Sequence, residues 1–360
     1  MRLHRFTPIE FSELREQWQD LLNRSDADQL FLSWSWMHSW WNVYGDLAND
    51  ELLLIGIYDN DRLVCIAPFY SSKKTIKGLL SVKIIQFLGT RVDGSSGFRS
   101  EYLQCIVDRE TSEKCLENVF DYLLADIGCD ELWLNDLVVG SKTHELAKKF
   151  SAHPKAYKRL QAEDTTYGVN VKVSFQDYVA SLGKNTRLKA YNRRKVLESL
   201  GEVIIESANA QNYRDVLQYL SDFHLDRWET SISYAKHGEF IALLINDTDV
   251  TVSGVVVKLN HEVVGCTLDL IAAGKSYNLQ SGYKAFVDKK IAMGSLAIGY
   301  AIEFYCDNPE ISYYDFLAGE GKKSNYKERI AQPLMNFEST QYIFSFGLRL
   351  MYRFKDKFKS

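Results

Sequence analysis

The chain has 360 residues, 46% of them hydrophobic and 25% charged, with only 5 Pro, so disordered, collagenous and low-complexity classes are excluded. At roughly 100 to 200 residues per domain, that length predicts two or three domains with core enough to fold without disulfide staples. The 43 basic and 47 acidic residues leave a net charge of -4, so no global field gathers nucleic acid or anionic lipid and any anion site is local.

The 6 cysteines form no C-x-x-C pair and no zinc-type spacing, which reads as reduced thiols and no metal. Residues 1–10 lack a signal-peptide pattern, and the apolar run Ile291 to Ile302 is short of the roughly 20 residues a bilayer span needs. The expectation is a cytoplasmic protein without a transmembrane segment.

In chain order, residues 8–23 have helical apolar spacing behind Thr7 and Glu10, a capping box. Residues 33–44 make a second helix, which Gly45 stops in a left-handed turn. Two β-rich runs, 51–58 and 62–70, flank the polar turn Asp59-Asn60-Asp61 as a hairpin. Strands follow at 82–88, 101–107 and 131–137, with helices at 111–127 and 142–150. Residues 151–172, polar and containing Pro154, read as the domain junction. Beyond it come helices at 174–182, 185–200, 211–227 and 239–245, with a strand at 202–206. A strand pair at 251–259 and 263–273 turns at Asn260-His261-Glu262. A long helix over 281–305 and strands at 311–317 and 337–344 complete the reading. The order recurs in both halves, so a duplicated α/β fold is expected: lobes 1–155 and 165–345, then a basic C-terminal helix, 346–360.

The segment richest in chemical signals follows that strand pair. A polar loop from Gly274 leads to Gln280-Ser281-Gly282-Tyr283-Lys284 at the expected helix start, where unpartnered amides and the helix dipole suit phosphate, with Lys275 and Lys284 adding charge. Simple helix capping explains the same residues. The loop is neither a Walker loop nor a dinucleotide fingerprint.

Gln280-Ser281-Gly282 before a long helix, then Tyr314-Asp315-Phe316-Leu317-x-Gly319 and Tyr326-Lys327, resembles the GNAT acyltransferases of the CelD-like branch, related to the tandem-GNAT FemABX transferases. Trp36-x-x-x-Trp40, Ile66-Ala67-Pro68-Phe69, Phe87-Leu88-Gly89 and Arg187-x-x-x-Tyr191-x-Arg193-Arg194 extend the resemblance over residues 10–345. It implies two GNAT-like lobes, each a mixed, mostly antiparallel sheet flanked by helices, with an acyl-CoA diphosphate held at residues 280–284. The family commonly has Ser-Pro-Gly where this chain has Gln280-Ser281-Gly282, so proline's fixed φ is missing. Lys322 and Lys323 lengthen the spacer before Tyr326 and either hold a phosphate or are solvated.

Acyl transfer from a thioester needs a neutral amine, a base and an oxyanion donor. Asp315 is the first candidate base or amine anchor, and Asp269, a lone carboxylate within a strand, the second. Tyr326 is the candidate acid for the thiolate and Lys327 for an anionic substrate group. Arg187, Tyr191 and Arg194 fall at i, i+4 and i+7 and form either a stripe that grips a polyanionic substrate or a solvated face. With Tyr191 the only aromatic in that run, general nucleic-acid binding is disfavoured. His224 and Trp228 are candidate acceptor contacts, and the Trp34 to Trp41 cluster reads as core. The basic, apolar segment 346–359 suits packing on a lobe or peripheral contact with a membrane surface.

The reading is acyl-CoA-dependent N-acylation, acetyl first among donors, of an amine acceptor such as an amino sugar or a polysaccharide or envelope precursor. The alternatives are aminoacyl transfer from charged tRNA, as in FemABX proteins, and a catalytically silent carbohydrate- or partner-binding protein.

Overall fold

A computed structural model describes the chain apart from residues 47, 77–79, 93–96, 151–155, 229–233, 248, 287, 289, 320–325 and 359–360, and apart from the side chains of residues 150, 228 and 326. It forms two compact units, Met1–Asp164 with Asn336–Ser360, and Thr165–Met335.

The first unit begins with β1 (Arg2–Phe6), α1 (Pro8–Glu13), α2 (Arg15–Asn23) and α3 (Trp34–Tyr44). The Thr7/Glu10 capping box is present, but the expected single helix breaks at Leu14. Gly45 ends α3 at φ -63, not in the left-handed region; what it supplies is room, since a Cβ there would lie 2.4 Å from the Trp41 carbonyl. Next come β2 (Glu51–Asp59), β3 (Arg62–Ile76), β4 (Leu80–Phe87), β5 (Ile106–Val107), α4 (Lys114–Asp121), β6 (Glu131–Val138) and α5 (Lys142–Phe150). A wider π-type turn continues α4 to Ile127. Only Ile106–Val107 of the expected strand 101–107 is a strand. Trp18, Trp36 and Trp40 are fully buried, so the tryptophan cluster is core.

The polar stretch read as an irregular junction is mostly a strand, β7 (Tyr157–Asn170). Its residues have the polar composition of a loop, and it is pairing with neighbouring strands that makes them extended. The second unit begins within β7, at Thr165, and continues with α6 (Phe175–Ser181), α7 (Lys184–Arg187), a π-type turn (Leu188–Asn192) and α8 (Arg194–Glu198). Then follow β8 (Val203–Ser207), α9 (Tyr213–Trp228), α10 (Ala235–Leu244), β9 (Thr251–Ser253), β10 (Val255–Leu259), β11 (Glu262–Ala272), β12 (Lys275–Tyr283), α11 (Met293–Cys306) and β13 (Tyr313–Asp315). Asn260 and His261, at φ 50 and 67, make the tight turn between β10 and β11. β14 (Gln332–Ile343) and α12 (Phe346–Lys357) end the chain. Residues 336–345, assigned from sequence to the second lobe, and α12 belong to the first unit, because Phe337 to Ile343 pair antiparallel with β6.

The two units share a strand plan. In the first, the order is β1-β2-β3-β4-β6-β14, antiparallel except for β4 with β6. In the second it is β7-β13-β12-β11-β10-β8, antiparallel except for β12 with β13. Each is thus a hairpin, a third antiparallel strand, a helix and a parallel strand. In the second unit α11 supplies the core through Met293, Leu296, Ala297, Ala301 and Tyr305, beside Val255, Val257 and Tyr314.

Candidate functional site

The expected helix start at Ser281 is a strand instead. Gln280, Ser281, Gly282 and Tyr283 pair with Leu268, Thr267, Cys266 and Gly265 of β11, and the Lys284 amide donates to the Val264 carbonyl (2.9 Å). These residues therefore present no helix N-terminus. Gly282 is small for packing: a Cβ there would come within 2.9 Å of Leu220 and Phe223 on α9. The Lys284 ammonium pairs with Glu262. The helix starts twelve residues after Ser281, at Met293, after Ala292 with no side-chain cap. Gly294 lies in its first turn, where a Cβ would meet the Tyr283 ring at 2.5 Å. Arg227 of α9 donates to the Tyr283 hydroxyl (3.0 Å), so the end of β12 and the start of α11 come together under one guanidinium.

β12 and β13 pair in parallel only over Lys275–Tyr277 with Tyr313–Asp315. Past that point β12 runs on to Tyr283, while Leu317 turns at φ 58 and the Phe316 amide donates to the Tyr167 carbonyl of β7. The strands part into a wedge, one side of which is the β12 edge from Asn278 to Tyr283. A bulge interrupts the ladder there: Leu268 opposes Gln280 but Asp269 opposes Asn278, leaving Leu279 as the extra residue.

Buried charge collects where the wedge opens. Asp315 is fully buried; one oxygen pairs with Lys275 Nζ (2.7 Å) and the other accepts the Leu317 amide (2.8 Å). Lys327 Nζ donates to the carbonyls of Phe316 (2.6 Å), Leu317 (2.7 Å) and Ala318 (2.9 Å). An ammonium has three donors, so the anionic-substrate role expected of Lys327 gives way to holding the chain after β13 in place. Asp269 is likewise fully buried and accepts from Asn278 (2.6 Å), Tyr305 (2.8 Å), Thr267 (3.1 Å) and Tyr314 (3.3 Å). Burial outweighs these donors and pushes its carboxyl up to about 7. Asn278 also reaches the Gln280 carbonyl (3.3 Å) and accepts from Ser281 Oγ (2.8 Å), so the Asp269 cluster grips the bulge itself.

The basic stripe divides. Arg194 is buried against the Tyr300 ring (3.9 Å from its centroid), with Tyr191 and Phe175 also beneath it, and pairs with Glu303 of α11. It is a packing element and presents no gripping charge. Arg187 is half-buried and Tyr191 is exposed. His224 is half-buried on α9, one turn before Arg227. The side chains of Trp228 and Tyr326 and the whole of Lys322 and Lys323 lie outside the described residues; Tyr326 opens a 3-10 turn with Lys327. Sequence reasoning missed the partnership of Lys275 with Asp315 and the parts played by Asn278, Tyr305 and Arg227. A polar residue two before Gln280, in a run otherwise suited to a strand, was the available signal.

A cavity of about 780 Å³ in the first unit is lined by Asp20, Asp59, Asp61, Arg62, Asp108 and Glu110 among others, with Asp20 paired to Arg24 and Asp108 to both Arg24 and Arg62.

Residues 184–328 match the Acetyltransferase (GNAT) domain family. The match takes in the wedge, the bulge, α11 and Lys327. No curated protein matches the chain. Among solved structures, FemX superposes with a TM-score of 0.58 at 11% identity, covering 94% of this chain and 97% of that one. A conserved protein of unknown function from Bacteroides thetaiotaomicron VPI-5482 gives 0.55 at 10% identity, covering 96% and 100%. A tandem GNAT protein from the clavulanic acid biosynthesis pathway gives 0.53 at 9% identity, covering 94% and 97%. At these identities the likeness is one of fold: two GNAT-like α/β lobes, each with a mixed, mostly antiparallel sheet flanked by helices.

Proposed function

We propose that the chain is an N-acyltransferase of the CelD-like branch. It takes an acyl group, acetyl first, from acyl-CoA and passes it to an amine of a small molecule or glycan, such as an amino sugar or a polysaccharide or envelope precursor. The observation that carries this reading is the wedge beside β12, within the residues that match a GNAT domain. A pantetheine arm is extended and bears amides, which pair with a strand edge as an added strand does. Its diphosphate would lie at the first turn of α11, around Ala292 to Gly294, where the leading amides lack helical partners, and no longer at residues 280–284.

In the reaction the neutral amine attacks the thioester carbonyl, a C–N bond forms, the C–S bond breaks, and the amine proton passes finally to the thiolate. The interrupted ladder at Leu279 supplies backbone donors for the oxyanion. Asp269 and Asp315, enclosed by protein donors, act as positioning residues in place of the base: the first fixes the bulge, the second the point where the strands part. Tyr326 remains the candidate acid for the thiolate. Arg187, Tyr191, His224 and Trp228 remain the acceptor-side candidates.

Acetyl-CoA at about 100 times its dissociation constant should raise stability by about 2.7 kcal/mol, and an amine screen read by thiol release should find turnover. Stabilisation by charged tRNA alone, with steep salt dependence, supports aminoacyl transfer instead, a reading favoured by the FemX-like fold. Response to neither ligand supports a silent carbohydrate- or partner-binding protein.

A further inference from the structure

The C-terminal helix α12 has one face fixed to the first unit and another left bare. Leu348 and Tyr352 pack in a cluster with Val82, Ile84, Ile343 and Trp133. Asp356, on the same face, takes a bidentate pair of bonds from Arg159 (2.7 and 2.8 Å) and one from the Tyr157 hydroxyl (3.0 Å). Arg159 also stacks over Tyr352, 4.5 Å from its centroid. These contacts fix the rotation of the helix about its axis.

At about 100° per residue, the opposite sector holds Phe346, Leu350, Met351, Phe354 and Phe358. Their exposures are 68, 54, 39, 67 and 74%, a contiguous apolar strip of a kind that isolated surface residues do not make. Arg349 and Arg353 border it on one side and Lys355 on the other, with Lys357 inside it. Asp356, the one acid of the helix, is already paired with Arg159. The β3–β4 hairpin, whose Ile76 packs in the same cluster, adds exposed Lys73 and Lys74 and an exposed Leu80.

We propose that α12 is an interfacial membrane-docking helix that lays its apolar strip into the surface of a bilayer carrying anionic headgroups. Apolar side chains edged by cations suit that surface, where hydrocarbon and phosphate lie within a few ångströms of each other. A second copy of this chain fits less well, because a two-fold contact sets the same cations against each other. No helix among the described residues is long and apolar enough to cross a membrane, and the contact proposed for α12 lies along the surface. The inference stands apart from the acyl-transfer reading and its test does not use activity.

The test is flotation of the full chain with vesicles of phosphatidylcholine, alone or mixed with phosphatidylglycerol, at low and high salt. Wild type should bind the mixed vesicles and release them in salt. Phe354→Glu with Phe358→Glu should weaken binding at least about 100-fold, and Lys355→Gln with Lys357→Gln about 30-fold, with melting curves unchanged. Lys195→Gln with Lys236→Gln, exposed cations of the other unit, should change nothing. The proposal is overturned if wild type ignores mixed vesicles at low salt, if the Phe354/Phe358 variant binds as well as wild type, or if the Lys195/Lys236 variant loses as much as the helix variant. It is also overturned if concentration-dependent dimerisation, abolished by Phe354→Glu, occurs without vesicle binding.

Discussion

The two units build the same strand plan and finish it differently. In the first, β4 ends at Phe87, directly after its last parallel partner Gln86, and the chain itself fills the ground beyond. Leu103 bridges Leu137 of β6, and Ile106–Val107 pairs with β3. In the second, β12 runs on from Tyr277 to Tyr283 past its last pairing with β13, and among the described residues no strand takes that edge. The shared plan thus gives one lobe closed by its own backbone and one that, among the described residues, is open. The buried charges Asp269, Asp315 and Lys327 stand around the opening, because an unpaired strand edge needs other groups to hold its shape. The contrast breaks if those charges prove to be ligand contacts, and each of the following substitutions asks that question.

The largest effect is expected from Lys327→Met. It leaves three carbonyls without their donor and should cost about 5 kcal/mol in urea unfolding, with Lys327→Arg recovering part. Unchanged stability with a raised KM for the acceptor would instead return Lys327 to the substrate.

Asp269 gives a pH signature. Its folded pKa, about 7, lies above the unfolded value near 4, so between those limits the folded state keeps a proton that the unfolded state has released. Its contribution is full below about pH 4, is lost as pH rises to about 7, and is flat above. Wild type should therefore lose about 4 kcal/mol relative to Asp269→Asn across that window, measured as the difference between their denaturant midpoints at each pH. Parallel profiles would remove Asp269 from the buried cluster. Lys275→Met, which removes the ammonium paired with the buried Asp315 carboxylate, should cost about 3 kcal/mol, and adding Asp315→Asn should restore much of it.

Local patterning made much of this legible. The hairpins and the Thr7 cap stand where residue type and spacing put them, since each depends on near neighbours in the chain. The misreadings arose where distant contacts decide. Residues 281–283 are held as strand by β11 and overlaid by α9, and neither is visible from Ser-Gly before an apolar helix. Arg194 fell on a basic stripe, yet three aromatic rings and Glu303 take it inward. Asp315 pairs with Lys275, forty residues earlier on a neighbouring strand, and helical or strand period does not predict that pairing.

The smallest effect is the most selective. If the open lobe alone takes the donor, acetyl-CoA should slow hydrogen exchange at residues 278–284 and 292–296 and leave residues 97–107 of the closed lobe untouched. A stabilisation of about 2.7 kcal/mol at saturating ligand corresponds to about 100-fold slower exchange for amides that open only with the whole unit. Leu103→Ala, which thins the segment filling the first lobe, should lower stability there without changing that pattern. Protection appearing at 97–107 instead would move the donor to the first lobe and leave the edge of β12 to some other chain or ligand. Equal protection in both would mean that the closing segment yields, and that the difference between the lobes is one of stability and not of role.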